Sequence, residues 1–286
     1  MNLATVKEIT IPEGNASCIY SNNDVIWNKC LNSTKLIEGK YKIYKNNTST
    51  TIGYCAFYGN DHITSAIFTK AETIGDFAFS ACDKLTTVDF PSAKTLGRYC
   101  FAGLKIGNLN FPLVTDIGER AFESCENFWK ISFPSATNIG KSAFGGTSIS
   151  SISSTDLPLA MTINDGAFVS CGRLSKVCLP SVTTLMQYAF SSCPKLKIAD
   201  FNVLTSIGSN VFMNCSTLNT LILRNTNIIC SLENINSFSG TPIESGIGYI
   251  YVPAALVDTY KNDKVWSTYA SQFRALEDYP DIAGGI

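Results

Sequence analysis

The residues able to do chemistry are few, and their spacing argues against a reaction centre. His62 is the single histidine, so a histidine base, a Ser-His-Asp relay or a histidine metal cluster has only that residue to draw on. It sits beside the apolar Ile63 and reads as a turn or surface histidine. There are 11 cysteines, an odd number. No C-x-x-C pair occurs among them, which removes the common zinc and thioredoxin-type signatures. Asp89 and Asp200 occupy equivalent positions, yet they lie five repeat units apart and cannot flank one glycosidic bond. No glycine-rich phosphate loop is present. The sequence therefore offers no catalytic set, no cofactor site and no metal site, and it reads as a non-enzyme.

What the cysteines do show is a period. Cys82, Cys125, Cys171, Cys193 and Cys215 each follow a phenylalanine by three residues. That phenylalanine recurs at Phe57, Phe79, Phe101, Phe122, Phe144, Phe168, Phe190 and Phe212, in steps of 22, 22, 21, 22, 24, 22 and 22 residues. Five residues before each stands Ile or Leu, followed by Gly in six of the eight units; Asn164 and Met186 replace it in the sixth and seventh. The unit is T-x-I-G-x-x-A-F-x-x-C-x-x-L-x-x-V-x-F-P. A fixed period of this length is the mark of a solenoid, in which no unit buries its own apolar face and the stack does.

Each part of the unit has an expected job. The segment L-x-x-V-x-F, as in Leu85 to Phe90, predicts a short strand, and stacked copies predict a parallel sheet with rungs about 4.8 Å apart. The following Pro (Pro91, Pro112, Pro134, Pro158, Pro180) ends the strand. The stretch G-x-x-A-F-x-x-C predicts one helical or 3₁₀ turn on the opposite side, with its Ala and Phe inward. The cysteines read as buried, reduced thiols packed in that turn. Cys171, Cys193 and Cys215 lie on successive rungs, near enough for one adjacent pair to meet disulfide geometry. Cys18 and Cys30, outside the repeat, are a minor candidate pair.

These residues resemble a leucine-rich repeat and, more narrowly, the BspA-like (Treponema pallidum type) subclass, over roughly residues 51–230. The resemblance implies an α/β solenoid: a right-handed superhelix with a parallel sheet on one face, short helical or 3₁₀ turns opposite and a helical C-terminal cap. It also implies a cell-surface or secreted protein that binds other proteins or cells, with no defined catalytic residues to transfer.

The flanks depart from the period. Val6-x-x-Ile9-x-Ile11-Pro12 matches the strand half of a unit, so the chain begins mid-repeat. Residues 1–50 otherwise read as an irregular, hairpin-rich flank, with strands at Cys18–Tyr20, Val25–Trp27 and Tyr41–Tyr44. Residues 231–286 read as a capping segment. In it Tyr249–Val252 is a strand, Pro253 opens a helical stretch with a break near Asn262-Asp263, an aromatic stripe forms core, and the tail 278–286 is loose.

Bulk properties narrow the function. Lys+Arg number 22 against Asp+Glu 23, a net charge of −1, which argues against a nucleic-acid partner. No apolar stretch approaches the roughly 20 residues of a membrane span. N-glycosylation sequons such as those at Asn15, Asn32, Asn47 and Asn214 matter only in a eukaryotic secretory setting. The surface that the repeat displays is its sheet face, where outward positions are mostly small and polar. Toward the C-terminal half Lys176, Cys178, Ile198, Asp200 and Ile222 break that pattern, with Trp129 and Lys130 at the margin. Apolar area with both charge signs is the mixture interfaces use. The reading is a non-catalytic, adhesin-like module that engages a protein or glycan partner there. The alternative is a structural spacer or oligomerisation arm of a larger or phage-borne protein.

Overall fold

Two properties of the repeat decide how the chain is wound: the alternation of its L-x-x-V-x-F segment and the residue pair, typified by Thr73-Ile74 and called the Thr-Ile pair, that ends five residues before each repeat phenylalanine. Both form strands in the computed structural model, which describes residues 50–284 except 61, 62, 108 and 110, together with the backbone of four N-terminal strands. The first property builds a face of two parallel sheets. One runs in order through Ile9–Thr10, Ile43–Asn46, Ser65–Phe68 and Thr87–Asp89. The other runs through Ser151–Ile152, Lys176–Cys178, Ile198–Phe201, Thr220–Leu223, Tyr249–Val252 and Phe273–Ala275. All pairings in both are parallel.

The Thr-Ile pairs build a second set of parallel ladders, for which the sequence reading gives no strand. Thr51–Ile52, Thr73–Ile74, Thr95–Leu96, Asp116–Ile117 and Asn138–Ile139 form one; Thr162–Ile163, Thr184–Leu185, Ser206–Ile207 and Ser231–Leu232 form the other. The break between them falls in the longest unit, and the Asn164 side chain bridges it by donating to the Ile139 carbonyl at 2.7 Å. The repeat glycines follow these pairs because adjacent coils touch there. A Cβ on Gly118 would lie 2.6 Å from the Gly97 carbonyl carbon, and one on Gly75 would lie 2.7 Å from that of Gly53.

The expected helical turn takes a different form. Ala78, Ser80 and Cys82 donate to Gly75, Phe77 and Phe79 in 3₁₀-type bonds, while Phe77, Phe79 and Ala81 donate to the next coil at Arg98, Cys100 and Ala102. Alternate amides thus serve the turn and the stack. This arrangement sets Phe77 and Ala81 at φ 56° and 57°, which stops a helix from continuing.

Packing follows the period. The eight phenylalanines are buried and stack in a row, with successive centroids from 4.7 Å (Phe57 to Phe79) to 5.9 Å (Phe190 to Phe212). Phe238 continues the row at 5.7 Å. Phe68, Phe90, Phe111 and Phe133 form a second column beside it. Each repeat cysteine caps this arrangement: the thiols of Cys82, Cys125, Cys171, Cys193 and Cys215 donate to the carbonyl of the preceding coil's phenylalanine at 3.0–3.3 Å. All five are free and buried, as the sequence reading expected. Cys55 is disulfide-bonded. The candidate pair Cys18 and Cys30 and the histidine His62 lie outside the described residues.

At the N-terminal side, Ile19–Ser21 and Asp24–Ile26 form the expected antiparallel hairpin. The strand Ile43–Asn46 is a rung of the face sheet itself. At the other end the aromatic stripe is core. Trp266 donates its indole N–H to the Cys230 carbonyl at 2.6 Å, and the Tyr260 hydroxyl accepts from the Cys230 amide at 2.7 Å. Asp263 breaks the helical stretch by accepting from the Val265 and Trp266 amides. The tail, expected to be loose, is docked: Pro280–Ala283 forms a helical turn, and Ile282 and Ala283 pack on Ile222, Tyr251 and Leu276.

Candidate functional site

Strand register puts the expected contact residues side by side. Lys176 pairs with Ile198, Cys178 with Asp200, and Asp200 with Ile222. Lys176 and Ile198 are half-buried, whereas Trp129 and Lys130 are exposed. Two of the six expected residues must be withdrawn from the accessible face. Ile222 is fully buried and Asp200 is 3% exposed. The reason is the docked tail. Arg224 forks onto both oxygens of the Asp200 carboxylate at 2.8 and 2.9 Å and donates to the Ala283 and Ile282 carbonyls at 2.8 and 3.0 Å. One guanidinium therefore holds the tail over the strand end, and the Asp200 hydrogen bonds raise its pKa further. Burial raises the pKa of the neighbouring Cys178 thiol, with the Asp200 charge adding to it.

The open part of the face is its middle. On the face itself, no strand among the described residues joins the sheet that ends at Thr87–Asp89 to the one that begins at Ser151–Ile152. Coils four and five are joined there by isolated bonds, from the Ser150 amide to the Trp129 carbonyl at 3.1 Å and from the Phe133 amide to the Asp156 carbonyl at 2.9 Å. At this break Trp129 stands 49% exposed. Its neighbour Phe128 is buried against Phe122 and Phe144 at 5.1 and 6.2 Å, so alternation drives Trp129 outward on an anchored backbone. Around it lies an open depression of about 390 Å³ lined by Thr86, Lys105, Gly107, Glu126, Asn127, Trp129, Ser148 and Arg173. Of these the sequence reading had found only Trp129. The signal available was positional: Thr86, Gly107 and Trp129 occupy the same place in successive units.

The turn side carries a different pattern, where the sequence reading had expected none. Phe77 and Tyr99 stack at 4.9 Å, and Arg98 and Arg120 lie over the Tyr99 ring at 5.2 and 5.4 Å. Arg120 also donates to the Tyr99 hydroxyl, and both arginines approach Glu119. These groups engage one another, while the buried Arg120 Nε has no hydrogen-bond partner among the described residues. Asp89 and Asp200 stand on different sheets. Among the described residues there is no group of three or more His, Cys, Asp or Glu placed to hold a metal ion, and no helix is long and apolar enough to cross a membrane.

The described repeat matches the model of the BspA type leucine rich repeat region over residues 50–158 and 152–247, with six copies. No curated protein matches the sequence. Among solved structures, a leucine rich repeat protein of T. pallidum is 22% identical, covering 63% of this chain and 79% of its own, with a TM-score of 0.44. A leucine rich cell surface protein from Faecalibacterium prausnitzii is 18% identical, covering 94% and 86%, with a TM-score of 0.39. A leucine-rich repeat protein from Bacteroides ovatus is 17% identical, covering 96% and 93%, with a TM-score of 0.32. The family match spans well over half of the chain, in the same units that stack the phenylalanines and the thiols, and the chain belongs to the BspA-type leucine-rich repeat family.

Proposed function

We propose that the chain is a non-catalytic recognition module of a cell-surface or secreted protein, adhesin-like, that engages a protein partner through its sheet face. The observation that carries this reading is Trp129, a half-exposed aromatic on an anchored backbone amid polar and charged side chains. Exposed aromatic area of this kind is what interface anchors use. Lys130, Lys176 and Ile198 extend the accessible strip, while Asp200 and Ile222 support it from beneath the tail. The leucine-rich repeat architecture favours the face for this role, because only there do many side chains stand in register on a rigid support. The test is photo-crosslinking: a benzophenone residue placed at Lys130 or Lys176 gives adducts with proteins of an intact cell surface. The same residue at Lys141, exposed on the turn side, gives none. Adducts from position 141 alone refute the reading.

A further inference from the structure

The depression beside Trp129 has a cause that the fold does not require. Gly107 stands between Thr86 and Trp129 in one outward column of the repeat. Its φ is not positive, and a Cβ added to it would meet nothing within 4 Å. Neither backbone conformation nor close packing calls for glycine there, in contrast to Gly75 and Gly118. The missing side chain leaves open space in the column beside Trp129, on the floor of the same depression.

The charged groups around the depression are uncommitted, whereas the Asn127 amide donates to the Lys105 carbonyl at 3.3 Å and the Thr86 hydroxyl to the Thr64 carbonyl at 3.4 Å. Among the described residues the side chains of Lys105, Glu126 and Arg173 make no hydrogen bond or ion pair, and the Trp129 indole N–H has no acceptor. The turn-side arginines, by comparison, are all engaged with carboxylates and a ring. Lys105 lies in the coil before Trp129 and Arg173 two coils beyond it. With rungs about 4.8 Å apart, the two cations are separated by roughly 14 Å along the solenoid axis. Between them lie an aromatic plate, a carboxylate, the Asn127 amide and the Ser148 hydroxyl, with Thr86 one coil before Lys105.

From this placement we infer that the depression binds an acidic oligosaccharide, with one pyranose ring stacked on Trp129 over the open space at Gly107 and its carboxylates met by Lys105 and Arg173. The C–H face of a sugar suits an indole plate. Ring hydroxyls suit Glu126 and Asn127, which accept or donate in the plane of their side chains. The net positive lining favours a carboxylated sugar over a neutral one, and the open shape suits a chain that continues along the coils. This rests on the sheet-face reading above and names what the partner presents to it.

The test uses the full chain in calorimetric titration with a hexamer of galacturonic acid, a heparin hexasaccharide and maltohexaose. The galacturonate hexamer binds, more weakly at higher salt. Trp129→Ala, Gly107→Val and the double variant Lys105→Ala/Arg173→Ala each weaken it at least tenfold, with melting temperatures within a degree or two of the parent. Preference for maltohexaose or for the sulfated sugar overturns the carboxylate assignment, and undiminished binding by Trp129→Ala and Gly107→Val overturns the site. If no oligosaccharide binds, yet crosslinks from Lys130 to a protein partner survive removal of that partner's sugars, the saccharide inference fails and the sheet-face reading stands. If both are absent, both fail.

Discussion

Replacing Gly118 by Ala isolates the contact that sets the pitch of the stack. The added Cβ would sit 2.6 Å from the Leu96 carbonyl oxygen and the Gly97 carbonyl carbon, and 2.7 Å from the Gly97 oxygen. Carbon pairs rest at about 3.5–4.0 Å, so these coils must part by roughly an ångström. The obstructing atoms are backbone and cannot rotate aside. Parting also stretches the 2.7 Å bond from the Gly118 amide to the Leu96 carbonyl. Overpacking typically costs about 1–3 kcal/mol, and a backbone obstacle places this case at about 3. Gly107→Ala is the control. With nothing in reach and an ordinary φ, it should gain about 0.4–1 kcal/mol through the unfolded chain. At about 2–4 °C per kcal/mol for a large domain, Gly118→Ala should melt roughly 6–12 °C below the parent and Gly107→Ala at or slightly above it. Gly208→Ala, whose nearest contact is 3.0 Å, should fall between. Circular dichroism melts of the three decide it. Equal melting temperatures for Gly118→Ala and Gly107→Ala would show that the coils are not in backbone contact.

Three further outcomes follow from the packing. Phe122 is fully buried with rings at 5.5, 5.1 and 5.4 Å from Phe101, Phe128 and Phe144; Phe122→Ala should lose about 3–5 kcal/mol in urea unfolding, and a loss under 1 would place that ring outside the core. Burial pushes the Cys82 and Cys125 thiols up to about 12. They should resist thiol reagents in the native state at pH 8. Between pH 9 and 12 the unfolded chain releases protons that the folded one keeps, so stability should fall by about 1.4 kcal/mol per pH unit for each thiol, with no contribution below pH 9. Arg224→Ala leaves the buried Asp200 carboxylate without its partner. It should cost about 3–5 kcal/mol and speed hydrogen exchange in the strand Thr220–Leu223, with part of the loss recovered in Asp200→Ala/Arg224→Ala; additive losses would mean that the pair is not coupled.

The period made the spine legible, because a residue type that returns every 22 positions must return to the same place in a stack. Phe238 escaped that reading, since it follows Phe212 by 26 residues. The Thr-Ile ladders escaped it for a different reason: two residues are too few to display an alternation. The face was legible as a face, but its accessibility was not. Ile222 and Asp200 occupy outward positions, yet Ile222 is covered by residues about 60 positions later and Asp200 is held by Arg224, 24 positions later, contacts that no local pattern announces. Gly107 carries no signal in the sequence. Its meaning needed the knowledge that nothing else fills the space.

The central claim is that recognition belongs to the sheet face around Trp129. Two exposed aromatics allow a direct comparison, Trp129 on the face at 49% and Tyr188 on the turn side at 38%. Labelled chain is titrated onto a sialylated glycoprotein, using the parent, Trp129→Ala and Tyr188→Ala. The account predicts that Trp129→Ala binds at least tenfold more weakly, about 1.4 kcal/mol or more, while Tyr188→Ala stays within about twofold, as expected for a side chain outside the contact. Loss of binding in Tyr188→Ala with retention in Trp129→Ala would contradict it.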